Sequence, residues 1–185
     1  MVVLLAAWLS MAQSPEEFVV RPGASHEAAG GIVFALAEGG HKHGEGGLAT
    51  GAWTLRFERG RDKGELAFNA SAPEDFYGEG YAFGVLFRMM GEAPGGGIKL
   101  VVRPRTSSPV RAARNAQGCR EILSRAANLA LPEGVSLAGG ASAREGPGAC
   151  VFSPTDGSAV VVVGMYTLEV LHARKKDAPP GPVLK

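Results

Sequence analysis

The sequence predicts a mainly antiparallel β protein of the α+β class. The expected form is a single-domain sandwich or partly closed barrel, with one helical segment before a C-terminal β-hairpin. Three observations predict it. Bulky apolar residues alternate with polar ones through residues 53–102, as on a pleated sheet with one dry face. Glycine, at 27 of 185 residues, is about twice its usual share and clusters between those runs. Only residues 108–130 carry a helical rhythm.

The elements follow in order. Residues 13–29 form a lead-in, with a short edge strand at Phe18-Val19-Val20 before Arg21-Pro22-Gly23 turns the chain. Residues 32–37 are an apolar run between glycines and read as a buried strand. In GAWTLRFERG, Trp53, Leu55 and Phe57 alternate with Thr54, Arg56 and Glu58, the clearest strand in the chain. GRDKG reverses it into ELAFNAS, with Leu66, Phe68 and Ala70 inward, so the two form a hairpin. GYAFGVLFRMM is read as one strand with Tyr81, Phe83, Val85, Phe87 and Met89 on one face. IKLVVRP closes the series at Pro104, giving a five-stranded meander over 30–104.

The character then changes. Ser108 can cap a helix and Pro109 suits its first turn. Cys119, Ile122, Leu123, Ala126, Leu129 and Ala130 fall on one stripe, Gly118 is a point where the helix can split, and Pro132 and Gly134 end it. A short strand at 135–137 and a loop come next. ACVFSPTDGSAVVVVGMYTLEVLHA then reads as two strands around SPTDG, the second long and valine-rich.

Composition excludes some function classes. Hydrophobic residues make up 45% and charged residues 20%, as in a folded globular chain. A net charge of +1, from 19 basic and 18 acidic residues, provides no field to gather nucleic acid, so no nucleic-acid partner is expected. Arg111, Arg114, Arg120 and Arg125 read as the solvated face of the helix.

The first residues place the protein. Residues 2–9 of MVVLLAAWLSMAQSPEEF are an unbroken apolar run, and Ser10-Met11-Ala12 offers the small residues a signal peptidase inspects. The run is shorter than the ~20 residues a membrane span needs. Residues 1–12 therefore read as a signal peptide, although no Lys or Arg precedes the run. Residues 13–173 form the single mostly-β domain, and 174–185 a disordered, basic, Pro-rich tail. The expected location is secreted or periplasmic. Cys119 and Cys150, an even pair in an exported chain, are then expected to form a disulfide.

Three groups of residues can carry chemistry. EGGHKHGEGG places His41 and His43 two apart, on the same side if Lys42 is extended, with Glu38, Glu45 or His26 able to complete a set. Zinc or copper suits such donors, and no other cofactor is indicated. The competing reading is a solvated glycine-rich loop that costs entropy to order. SAPEDFYGEGY gathers Glu74, Asp75 and Glu79 with Phe76, Tyr77 and Tyr81. Paired carboxylates can hydrolyse a glycosidic bond, and acids beside aromatics can bind a sugar or calcium; a surface loop anchored by aromatics is the plainer account. Asn69-Ala70-Ser71 is an acceptor for N-glycosylation on an outward position.

Other signals are absent or fail. GEGGLA at 44–49 fits a dinucleotide pattern, but a strand rather than a helix follows it. There is no G-x-S-x-G elbow, P-loop, H-E-x-x-H or C-x-x-C, and no local motif joins His172 to a nucleophile. The expectation is an exported, non-catalytic binding or interaction protein for an unknown protein or carbohydrate ligand. Its contact surface would lie at 38–47 or 73–80. Metal handling through His41 and His43, and hydrolysis through Glu74, Asp75 and Glu79, are the alternatives.

Overall fold

A computed structural model describes residues 14–38, 51–104, 116–125 and 128–176. Residues 1–12, read above as a signal peptide, and His41, His43, Glu45, Ser108, Pro109 and Ala126 lie outside the described residues, as do the residues beyond 176. Among the described residues are twelve strands, one α-helix and a 3-10 turn that precedes β6.

The strands are β1 (Glu16–Val20), β2 (Ser25–Ala28), β3 (Ile32–Glu38), β4 (Gly51–Arg59), β5 (Asp62–Ala70), β6 (Tyr77–Ala82), β7 (Val85–Glu92), β8 (Ile98–Pro104), β9 (Ala141–Gly146), β10 (Ala149–Pro154), β11 (Ala159–Gly164) and β12 (Val170–Lys175). The 3-10 turn is Pro73–Phe76, and α1 is Ala116–Ser124. They build three four-stranded antiparallel sheets, ordered β1-β8-β7-β6, β2-β3-β4-β5 and β12-β11-β10-β9. The fold is mainly antiparallel β with a little helix, a sandwich without a closed barrel.

The first two sheets pack face to face. Period-two burial in β4 puts Trp53 and Leu55 inward, and β3 does the same with Ile32, Phe34 and Leu36. They meet Phe18 and Val20 of β1, Phe87 and Met89 of β7, and Ile98, Leu100 and Val102 of β8. Phe34 and Phe87 meet edge to face across the layer, their ring centroids 5.4 Å apart. Each such side chain removed from water contributes about 1.5–3 kcal/mol.

The central strands of the third sheet, β10 and β11, are dry on both faces, which is why β11 reads as an unbroken valine run. Val161 and Val163 join Cys150, Phe152, Cys119 and Ile122 on the helix side. Val160 and Val162 join Ala149, Val151 and Leu171 on the other side, against Tyr77 of β6. The layers therefore run sheet, sheet, sheet, helix. The predicted disulfide is present: Cys119 of α1 and Cys150 of β10 are joined, with Cα atoms 5.5 Å apart. It staples the helix to the third sheet.

Several expectations need correction: the five-stranded meander read over 30–104 is six strands, β3 to β8, divided between two sheets after β5. The single strand read over 80–90 is a hairpin of β6 and β7. Phe83 (φ 52°) and Gly84 (φ 80°) make a two-residue turn between Ala82 and Val85. A phenylalanine rarely adopts this left-handed conformation. Tertiary contacts hold it there: its ring stands edge-on to Phe57, the Arg59 guanidinium lies 5.1 Å from its centroid, and Arg59 Nη1 donates to its carbonyl at 3.2 Å.

Residues 135–137 form no strand; Leu137 is buried in the helix-side core, and the strand β9 lies just after it. The C-terminal hairpin of β10 and β11 is present, flanked by β9 and β12. The long last strand breaks after Gly164, and Arg174 and Lys175 belong to β12 rather than to a tail. Finally, the lead-in contains β2, and α1 runs through Gly118 without splitting.

Candidate functional site

The acidic stretch 74–79 lies between the first and third sheets, not on the surface. Glu74, Asp75 and Glu79 are 3%, 1% and 0% exposed. A buried carboxylate is tolerated only when paired and hydrogen-bonded, and each of the three is.

Glu79 sits on β6 opposite Arg88 of β7. Its Oε1 accepts from Arg88 Nε at 2.9 Å and from the Thr167 hydroxyl at 2.6 Å. Its Oε2 accepts from the backbone N–H groups of Tyr166 and Thr167 at 3.0 and 3.1 Å. Four donors match the roughly four lone-pair sites of a carboxylate. The Arg88 guanidinium continues to Thr167 Oγ1 at 3.1 Å and Glu169 at 2.7 Å. A side chain of the first sheet thus organises the turn between β11 and β12.

The backbones close in around it. Glu79 N–H donates to the Pro147 carbonyl at 3.1 Å, and Met165 N–H to that of Gly148 at 3.0 Å. A methyl group on Gly148 (φ +63°) would sit 1.8 Å from the Glu79 carbonyl oxygen. One on Gly164 would sit 2.2 Å from the Glu79 carboxyl carbon. Glycine at both positions is what lets this carboxylate be enclosed.

The other two carboxylates open the 3-10 turn. Asp75 Oδ2 accepts from Ser71 N–H (2.8 Å), the Ser71 hydroxyl (3.2 Å) and Ala72 N–H (3.0 Å), while its Oδ1 pairs with Arg144 of β9. Glu74 Oε1 accepts from Arg174 of β12, Nε at 2.8 Å and Nη2 at 2.5 Å. Beside that pair, Tyr77 and His172 stack with centroids 4.2 Å apart.

These surroundings set the proton affinities. Burial pushes the Glu74 carboxyl up, but its own backbone N–H and the Arg174 guanidinium outweigh it and leave the group below its ordinary value. Burial also raises Asp75, and hydrogen bonds from Ser71, Arg144 and Ala72 carry it below. Burial holds His172 below its ordinary value, with Glu74 opposing and Arg174 adding. Burial, then the charge of Glu74, raises Tyr77.

A pH dependence follows. A carboxylate with a lowered folded pKa stabilises above its unfolded value, and that contribution is lost as the pH falls. A histidine with a lowered pKa acts in the same direction, because the unfolded chain takes up the proton first. The urea midpoint should hold above pH 7, decline below about 6.5, and fall further below about 4. His172→Gln should remove the upper part of the decline and keep the lower. A midpoint unchanged down to pH 5 would contradict the burial of His172.

Of the residues predicted for metal, only Glu38 and His26 lie in described strands. His26 of β2 is already engaged: Nε2 lies 3.2 Å from Glu16 Oε1, and its ring stacks on Phe18 at 3.8 Å. No group of three potential metal-ligating side chains occurs among the described residues. Among the described residues, no helix is long and apolar enough to cross a membrane.

Sequence reading missed Arg88, Thr167, Arg144 and Arg174 as partners of the acids. One signal was present: Arg88 is the lone charge in the apolar run GVLFRMM, and a charge there calls for a buried counter-charge. Arg144 and Arg174 lie 69 and 100 positions from Asp75 and Glu74, beyond any local pattern.

Fold and site together define a disulfide-stapled, layered β protein whose buried acids tie its sheets. No protein-family model matches the chain, no curated protein matches its sequence, and no solved structure matches its fold.

Proposed function

We propose that the protein is an exported, non-catalytic binding or interaction protein that takes a protein or carbohydrate ligand at the loop end carrying residues 38–47. One observation carries this reading. The best catalytic candidates, Glu74, Asp75 and Glu79, are spent on arginines and backbone donors between sheets. A general acid requires a raised pKa, whereas Glu74 and Asp75 are lowered. This weighs against hydrolysis and against 73–80 as a contact surface. Binding residues commonly lie on segments that join the elements of a rigid scaffold, and residues 39–50 join β3 to β4 of a disulfide-stapled one.

Metal handling is the second reading, motivated by the His41-Lys42-His43 spacing. Engagement of His26 leaves Glu38 and Glu45 to complete that set.

One pair of proteins tests both. Deleting 39–46 should leave the thermal midpoint nearly unchanged and abolish binding to a glycan array or to cell surfaces. Binding that survives the deletion would move the site elsewhere, and turnover of glycoside substrates would end the non-catalytic reading. Calorimetric titration of both proteins with zinc and copper decides the second reading: heat lost with the loop supports it, and equal heats refute it.

A further inference from the structure

We infer that Asn69 is an N-glycosylation site whose sugar covers the open edge of the second sheet; this rests on the export reading. Asn69 is exposed near the end of β5, which is an edge strand of its sheet. Its two strand neighbours hold it in place: Phe68 and Ala70 are buried in the sandwich core, so Asn69 must point outward. Across the ladder it faces Ala52, itself exposed, and Ala67 is exposed two residues earlier. Only methyl groups flank the amide on these two sides, which leaves room for a bulky substituent.

The sequon is ordered for early use. Its hydroxyl, on Ser71, donates to Asp75, and Asp75 is closed by Arg144. That hydrogen bond belongs to the folded protein, whereas the transferase reads the hydroxyl on the emerging chain. In the transfer, the Asn69 amide nitrogen bonds to C1 of the first sugar of a polyprenyl-diphosphate-linked oligosaccharide. The C1–O bond to the diphosphate breaks, the lipid diphosphate leaves with the electron pair, and the amide proton passes to a transferase base. A glycan here also serves the fold. β5 spans nine residues and, among the described residues, no strand pairs with its outer edge; an open strand edge invites pairing with other chains.

The test expresses the full chain in insect cells, alone and with a cleavable leader placed ahead of Met1. The expected product is disulfide-bonded, loses mass with peptide-N-glycosidase, and maps the change to position 69. Asn69→Gln and Ser71→Ala should both lack the modification, and Ser71→Thr should retain it. A secreted product with the disulfide formed and Asn69 unmodified overturns the site while leaving export standing. If only the leader-bearing version is exported and it is glycosylated, the acceptor stands and the native export signal falls. If neither version is exported or modified, both fall.

Discussion

Glu79→Ala is expected to destabilise the protein by about 3–5 kcal/mol, because it leaves Arg88 buried without its main partner. For a chain of this length that is roughly a 10 °C fall in thermal midpoint. The cost has three sources. Arg88 loses its 2.9 Å contact and keeps only the Thr167 hydroxyl and the exposed Glu169 carboxylate. The backbone N–H groups of Tyr166 and Thr167 lose their acceptor. The space vacated lies where Gly164 had been kept bare for the carboxylate. The double variant Glu79→Leu/Arg88→Met should be less damaged than Glu79→Ala, since no charge is then stranded. A cost below about 1 kcal/mol for Glu79→Ala, read from urea unfolding, would show that the pair does not hold the sheets together.

Removing the disulfide as Cys119→Ala/Cys150→Ala is the second large effect. The bridge spans 31 positions, and closing a loop of that size in the unfolded chain is worth about 3.5 kcal/mol in the chain-entropy model. Both cysteines are fully buried in the helix-side core, so the loss of packed sulfur adds to the effect. The damage should be local first. Amide protection should fall in α1 and β10 before it falls in β3 and β4, whose core is separate. Uniform loss across both cores would indicate that the helix and third sheet are not a semi-independent layer.

These two effects fall on different sides of what a sequence can show. The disulfide was legible, because an even cysteine pair in a chain with a signal-like start has one pairing available. The alternation of Trp53, Leu55 and Phe57, or of Leu66, Phe68 and Ala70, was legible because burial on one face imposes period two locally. The Phe83-Gly84 turn was not. Its alternation with Tyr81 and Val85 looks continuous, and a ring and a guanidinium from β4 stabilise the reversal.

The acidic stretch was misjudged for the same reason. Glu74, Asp75 and Glu79 look like a surface loop because isolated acids belong in water. They are buried because Arg174, Arg144 and Arg88 meet them there.

By itself, then, the amino-acid order determined the strands β1, β3, β4, β5, β8, β10 and β11, the dry faces of β4 and β5, and that α1 is stapled to the C-terminal hairpin. Those properties depend on neighbours two to four positions apart, or on a unique pair of sulfurs. Only the tertiary structure decided how twelve strands divide among three sheets, and that three apparent catalytic acids are interlayer ties. Coulombic pairing and desolvation depend on distance in space, and residues a hundred positions apart can set both.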